Sequence, residues 1–157
     1  MPTDAYPESV IQILDDSIQY HPAILQAMRT FSDSGPWSGT IEERKAKFQR
    51  LNRELAAACG IRPPELVVGD LGGGSSGGSH YLPVFHRIVL TGRLSVVTFL
   101  HEFAHALKRN EWQACRWSVN LFRRAFPQQF SRLVYRGHVL VRPEDVSPTY
   151  SRFRHQG

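Results

Sequence analysis

The chain is 157 residues long, 41% hydrophobic, and carries a formal net charge of +5. That is the length of one domain with enough apolar material for a core, and no apolar run reaches the eighteen or so residues a membrane span needs. The opening Met-Pro-Thr-Asp-Ala-Tyr-Pro-Glu lacks the basic and apolar regions of a signal peptide, so a cytoplasmic setting is expected.

Residues from about 8 to 34 predict one or two short helices, interrupted near His21-Pro22, and Pro36 and Gly39 mark a turn. From Thr40, an N-cap with Glu43 at the third helical position, a charged amphipathic helix runs to Cys59 and stops at Gly60. Its apolar residues Phe48, Leu51, Leu55 and Ala56 fall at helical spacing and predict a core-facing stripe. Pro63-Pro64 introduces a short strand, Glu65-Leu66-Val67-Val68.

The run Gly72-Gly73-Gly74-Ser75-Ser76-Gly77-Gly78-Ser79 is a poor phosphate loop, because no Lys-Ser or Lys-Thr follows and no helix begins there. A mobile loop linking two strands, over a cleft, is the expectation. Residues 80–83 and 85–90 then alternate as strands do, and Pro83 demotes the first of them to a sheet edge.

Next comes His101-Glu102-Phe103-Ala104-His105. On a helix, residues four apart lie one turn up the same face, so both imidazoles can grip one metal ion. Glu102 is rotated aside, where it can take a proton from metal-activated water. The flanks agree. Ser95 is an N-cap, Glu102 is the only charge between Ser95 and Leu107, and Lys108 and Arg109 suit the negative end of the dipole. Two chance histidines beside a buried glutamate would cost several kcal/mol to bury without a metal.

A third ligand is needed, and Glu111, six residues after His105, is the best candidate. On one continuous helix it would point away. The polar run Lys108-Arg109-Asn110 breaks the helix, with Asn110 capping a second one that Glu111 opens. His138, Glu144 and Asp145 of the C-terminal segment stay open as further ligands. Cys59 and Cys115 lie far apart without ligand spacing and are expected as small buried thiols, a single disulfide remaining open.

The spacing is that of the metzincins, H-E-x-x-H-x-x-G-x-x-H, but Lys108 stands where they have Gly and Glu111 where they have His. The only methionines, Met1 and Met28, exclude their later Met-turn. Asn110-Glu111-Trp112-Gln113-Ala114 instead resembles the glutamate helix of gluzincins, N-E-x-x-[SA]. The fuller run through Trp117, Phe122 and Pro127 is similar to a block of small ImmA/IrrE-type metallopeptidases. The resemblance covers about residues 67–127. It implies His101, His105 and Glu111 as zinc ligands, Glu102 as the catalytic carboxylate, and an edge strand that binds extended peptide by main-chain hydrogen bonds. His80 and Tyr81 on that edge could reach the reaction oxyanion; alternatively they are partly exposed strand residues.

The second helix, Glu111 to Phe126, should bury Ala114, Cys115, Ser118, Leu121 and Phe122 and turn Arg116, Arg123 and Arg124 outward. From Arg87 onward twelve basic residues face four acidic ones, so this half could meet nucleic acid, yet no helix-turn-helix or zinc-finger spacing accompanies them. A solvated arginine surface is the simpler expectation.

Together these features predict a single α+β domain, a minimal zincin with a short antiparallel sheet beside the metal helix. Its expected parts are N-terminal helices (about 8–60), strands (about 65–91), metal helix (about 95–108), glutamate helix (about 110–126) and a C-terminal segment (127–157). The expected activity is a Zn2+-dependent peptidase, an endopeptidase acting on a peptide or protein substrate, with no membrane association. The other reading is a zincin-fold regulatory or DNA-associated module with little or no peptidase activity. Oligomeric state is not legible.

Overall fold

Local capping sets most of the helix boundaries. The computed structural model describes residues 13–71, 78–136 and 139–141. Helix α1, Pro22–Asp33, starts with proline in its first turn, and the His21 side chain accepts from the Ala23 N–H. Helix α2, Ile41–Cys59, opens with a reciprocal box. Thr40 Oγ1 accepts from the Glu43 N–H at 3.1 Å, and Glu43 Oε1 accepts from the Thr40 N–H at 2.8 Å. It closes at Gly60, whose φ of +70° is the left-handed cap that glycine tolerates best.

Three strands follow: β1, Glu65–Leu71; β2, His80–Leu82; and β3, Arg87–Gly92. Residues 72–77, most of the glycine-rich run, lie outside the described residues. The sheet order is β1-β3-β2, with β2 antiparallel to β3 and β1 parallel to it. The fold is α+β as expected, but the sheet is mixed and not purely antiparallel. The reason is topological. The chain leaves β1, crosses to the far edge of β3 to form β2, and only then turns tightly through residues 83–86 into β3. Strand β2 ends before Pro83 and is an edge, as that proline dictates. Helix α2 covers β1: Gln49 Nε2 donates to the Leu66 carbonyl at 2.9 Å, and Asn52 Nδ2 to the Pro64 carbonyl at 2.7 Å.

The next helices are α3, Val96–Ala106, and α4, Glu111–Ala125, which pack on each other, with α3 also against β2 and β3. A short α5, Pro127–Ser131, and a hairpin of β4, Val134–Arg136, with β5, Val139–Val141, complete the described chain. Phe48, Phe99, Leu100, Phe103, Ala114 and Leu121 are fully buried. Edge-to-face contacts run from Phe31 through Phe48 to Phe99, and Phe103 stacks on Trp117. Each such aromatic contributes roughly 1.5–3 kcal/mol by burial, so α3 is held from several sides.

The segment 13–20 is strapped along α4, which no local pattern had indicated. Buried Asn120 accepts from the Asp15 N–H at 2.8 Å and donates to the Ile13 carbonyl at 2.7 Å. The Tyr20 hydroxyl donates to the Trp117 carbonyl at 2.8 Å. Arg116 pairs with Asp15 and Arg123 with Asp16, while Arg124 donates to the Ile18 carbonyl and lies over the Tyr20 ring. For Arg116, Arg123 and Arg124 the expectation of a merely solvated surface is therefore corrected, because all three engage the N-terminal segment. Hydrogen bonds from Ser17 and from Arg116 lower the Asp15 carboxyl to about 2, so this tie persists well into acid.

Replacing Asn120 by Ala should destabilise the fold by about 1–3 kcal/mol, because buried strap groups lose their partner. Urea unfolding measures this, and a wild-type midpoint would show that the strap contributes nothing.

Candidate metal centre

Helix α3 begins at Ser95, whose side chain accepts from the Thr98 N–H at 3.3 Å. Its interior is apolar and free of Gly and Pro, so the helix carries His101 and His105 on one face, one turn apart. The helix must then stop quickly enough for Glu111 to return. The Arg109 N–H donates to the Ala104 carbonyl at 3.2 Å and the Lys108 N–H to the His105 carbonyl at 2.9 Å. This is the paired bonding of a Schellman cap, with Lys108 at φ +69° in the position that usually takes glycine. Asn110 then caps α4: its Oδ1 accepts from the Gln113 N–H at 2.8 Å while Gln113 returns the bond at 3.0 Å. Glu111 is the first residue of α4 and faces the histidines.

The result is a triangle of donor atoms. His101 Nε2 and His105 Nε2 are 3.2 Å apart, and Glu111 Oε1 lies 3.1 Å from each. His105 Nδ1 is 2.9 Å from the Arg109 carbonyl, which can only accept, so Nδ1 carries the proton. In the neutral ring the Nε2 lone pair then faces His101 and the carboxylate. Atoms that converge this closely are satisfied either by a proton on His101 Nε2 or by a cation among them. Tetrahedral ligands about 2.0–2.1 Å from zinc lie roughly 3.3 Å from one another, close to this spacing. Two neutral nitrogens, a carboxylate oxygen and a carbonyl orienting one ring are a donor set that fits zinc. Burial alone would raise the Glu111 carboxyl, but His101 and His105 hold it below its ordinary value.

Glu102 stands apart from the triangle and is buried. Burial pushes its carboxyl up to about 7, with the charge of Glu111 acting the same way and His105, the Tyr81 backbone N–H and His80 opposing. It is thus a carboxyl that exchanges a proton near neutrality, on the side of α3 that faces β2.

The other expected residues divide. His80 is exposed at the start of β2, its Nδ1 donating to the Gly78 carbonyl at 3.1 Å, and its charge is felt at Glu102. The Tyr81 hydroxyl is 2.7 Å from His86 Nδ1, and His86 Nε2 is 2.7 Å from the Arg62 carbonyl. That carbonyl requires the His86 proton on Nε2, so the Tyr81 hydroxyl donates to Nδ1 and is committed there. Tyr81 meets the centre through its backbone N–H. His138, Glu144 and Asp145 lie outside the described residues.

Cys115 was expected only as a buried thiol. It is buried, and both cysteines are free, but its Sγ lies 3.8 Å from His101 Nδ1 and 3.8 Å from Glu111 Oε2. Its place one helical turn after Glu111 was the available signal. Burial and the Glu111 charge push the thiol up to about 12, so it stays protonated. His101, Glu111 and Cys115 also form a group of ligand-type atoms within 4.8 Å. The tighter set is the triangle, because Cys115 faces the His101 nitrogen turned away from His105. Comparison with family models, curated proteins and solved structures finds no match for this chain.

Lys108→Gly should raise stability by about 0.5–1 kcal/mol, since relief of the left-handed strain outweighs the added freedom of the unfolded chain. A lower midpoint in denaturant would mean that the lysine side chain contributes more than its backbone costs. Glu102 gives a pH test in metal-free protein. Its folded pKa is raised, so ionisation costs stability progressively as pH climbs from about 4.5 to about 7. Glu102→Gln should therefore stabilise the metal-free chain at pH 8 and leave it near wild type at pH 4, by thermal unfolding.

Proposed function

We propose that this chain is a zinc-dependent peptidase whose centre is His101, His105 and Glu111, with Glu102 as general base. The observation that carries the reading is the triangle of Nε2, Nε2 and Oε1 atoms at 3.1–3.2 Å. A zinc ion in such a set supplies Lewis acidity toward the scissile carbonyl and makes water a stronger acid. The chain supplies the rest. Glu102, shielded from solvent and with a carboxyl raised toward neutrality, accepts a proton from the attacking water and returns it to the leaving amine. The Arg109 carbonyl fixes the tautomer and direction of His105. His80, exposed beside Glu102 at the sheet edge, is available to a developing oxyanion, whereas the Tyr81 hydroxyl is held by His86.

An extended peptide or protein substrate suits the β2 edge, because among the described residues β3 is the one strand paired with it. No helix among the described residues is long and apolar enough to cross a membrane. A reducing, cytoplasmic setting accords with two free thiols. The competing module that binds DNA through its arginines draws less support, since Arg116, Arg123 and Arg124 are occupied by residues 15–20.

Metal analysis of purified protein should find about one zinc per chain, and His101→Ala and His105→Ala should each lose most of it. Glu102→Gln should keep the zinc yet lower cleavage of a proteome-derived peptide library on the order of a hundred to ten thousand fold. Full zinc retention by both histidine variants would overturn the centre; zinc-dependent cleavage surviving in Glu102→Gln would overturn the base. Absence of cleavage by wild type, with salt-sensitive DNA binding, would favour the DNA-associated module.

A further inference from the structure

We propose that Cys115 is the positioning residue of the centre, its thiol accepting from His101 Nδ1 and donating to Glu111 Oε2 so that one sulfur orients two ligands. The inference rests on the zinc reading and extends it to a residue outside the ligand set. Glu111 and Cys115 are four apart on α4, so carboxylate and thiol share a face, and the thiol lies 3.8 Å from the outer atoms of two triangle residues, His101 Nδ1 and Glu111 Oε2.

The direction of each bond follows from what the atoms can do. His101 presents Nε2 to His105 and Glu111. A neutral ring that offers the Nε2 lone pair carries its proton on Nδ1, and that proton faces the sulfur, a weak acceptor. The S–H is then left to donate to Oε2, the carboxylate oxygen not directed at the histidines. Glu111 therefore keeps Oε1 for the triangle. Without the thiol, the His101 ring loses an acceptor for its Nδ1 proton, and the half-exposed Glu111 carboxylate, on the first residue of its helix, becomes freer to rotate. The sulfur is only 4% exposed with the rest of its residue, so water does not readily replace it.

Cobalt substitution of the whole wild-type chain separates positioning from ligation. A thiol that only orients its neighbours gives no intense near-ultraviolet thiolate-to-cobalt band, and that result is expected; the presence of the band makes Cys115 a ligand and overturns the proposal. Zinc affinity, measured by chelator competition, gives the second readout. Cys115→Ala and the better-packed Cys115→Val should each weaken zinc binding about 10–100-fold, and Cys115→Ser, which keeps a donor and an acceptor, should recover much of the loss. Wild-type affinity in Cys115→Ala and Cys115→Val overturns the proposal while leaving the zinc reading intact. A wild-type chain that takes up no stoichiometric zinc overturns the zinc reading itself, and this inference with it.

Discussion

The corner between α3 and α4 is the constraint on which the centre depends. Five residues separate His105 from Glu111, and a continuous helix would carry the carboxylate away from the imidazoles. Two consecutive caps solve this. The Schellman cap through Lys108 ends α3 within one residue of reversing the chain, and the Asn110–Gln113 box starts α4 at once. Neither cap uses metal. The donor triangle is therefore an outcome of backbone hydrogen bonding and of the packing of α3 on α4, with Phe103 against Trp117 fixing their separation.

That separation also decides the electrostatics. Glu102 is on the same helix as two groups that can carry positive charge, yet burial dominates its environment and raises its carboxyl. Glu111, at the exposed start of the next helix, responds in the opposite direction because both histidines face it. Two carboxyls in one small site are thus divided into an acid that exchanges near neutrality and an anion, and the division comes from solvent access and direction.

What was legible in the sequence was local. Thr40 with Glu43, Gly60, Ser95 and Asn110 each act over three or four residues, and each terminus fell where its side-chain chemistry placed it. The triangle was legible for the same reason: its three residues lie within one helix and the first residue of the next. Non-local pairing was not. The parallel partnership of β1 with β3 joins strands separated by β2, and strand alternation carries no direction. The Tyr81–His86–Arg62 network depends on the hairpin turn and on the approach of the segment after α2. The arginines of α4 looked solvated because their acidic partners stand about a hundred positions earlier in the chain. Cys115 was intermediate: its turn-spacing from Glu111 was visible, but its reach to His101 required the angle between two helices.

The N-terminal strap has a consequence for how the chain acquires this structure. Residues 13–20 are synthesised some hundred residues before Asn120, Trp117 and Arg116. Closing so long a loop is entropically costly before α4 exists to reward it. Helices α3 and α4, by contrast, join through a four-residue connection and can meet as soon as both are made. During synthesis the strap thus waits unpartnered while the corner between α3 and α4 assembles, and its docking is a late, chain-closing event. The order of assembly runs against the order of the sequence: a segment made well before the corner finds its place after it.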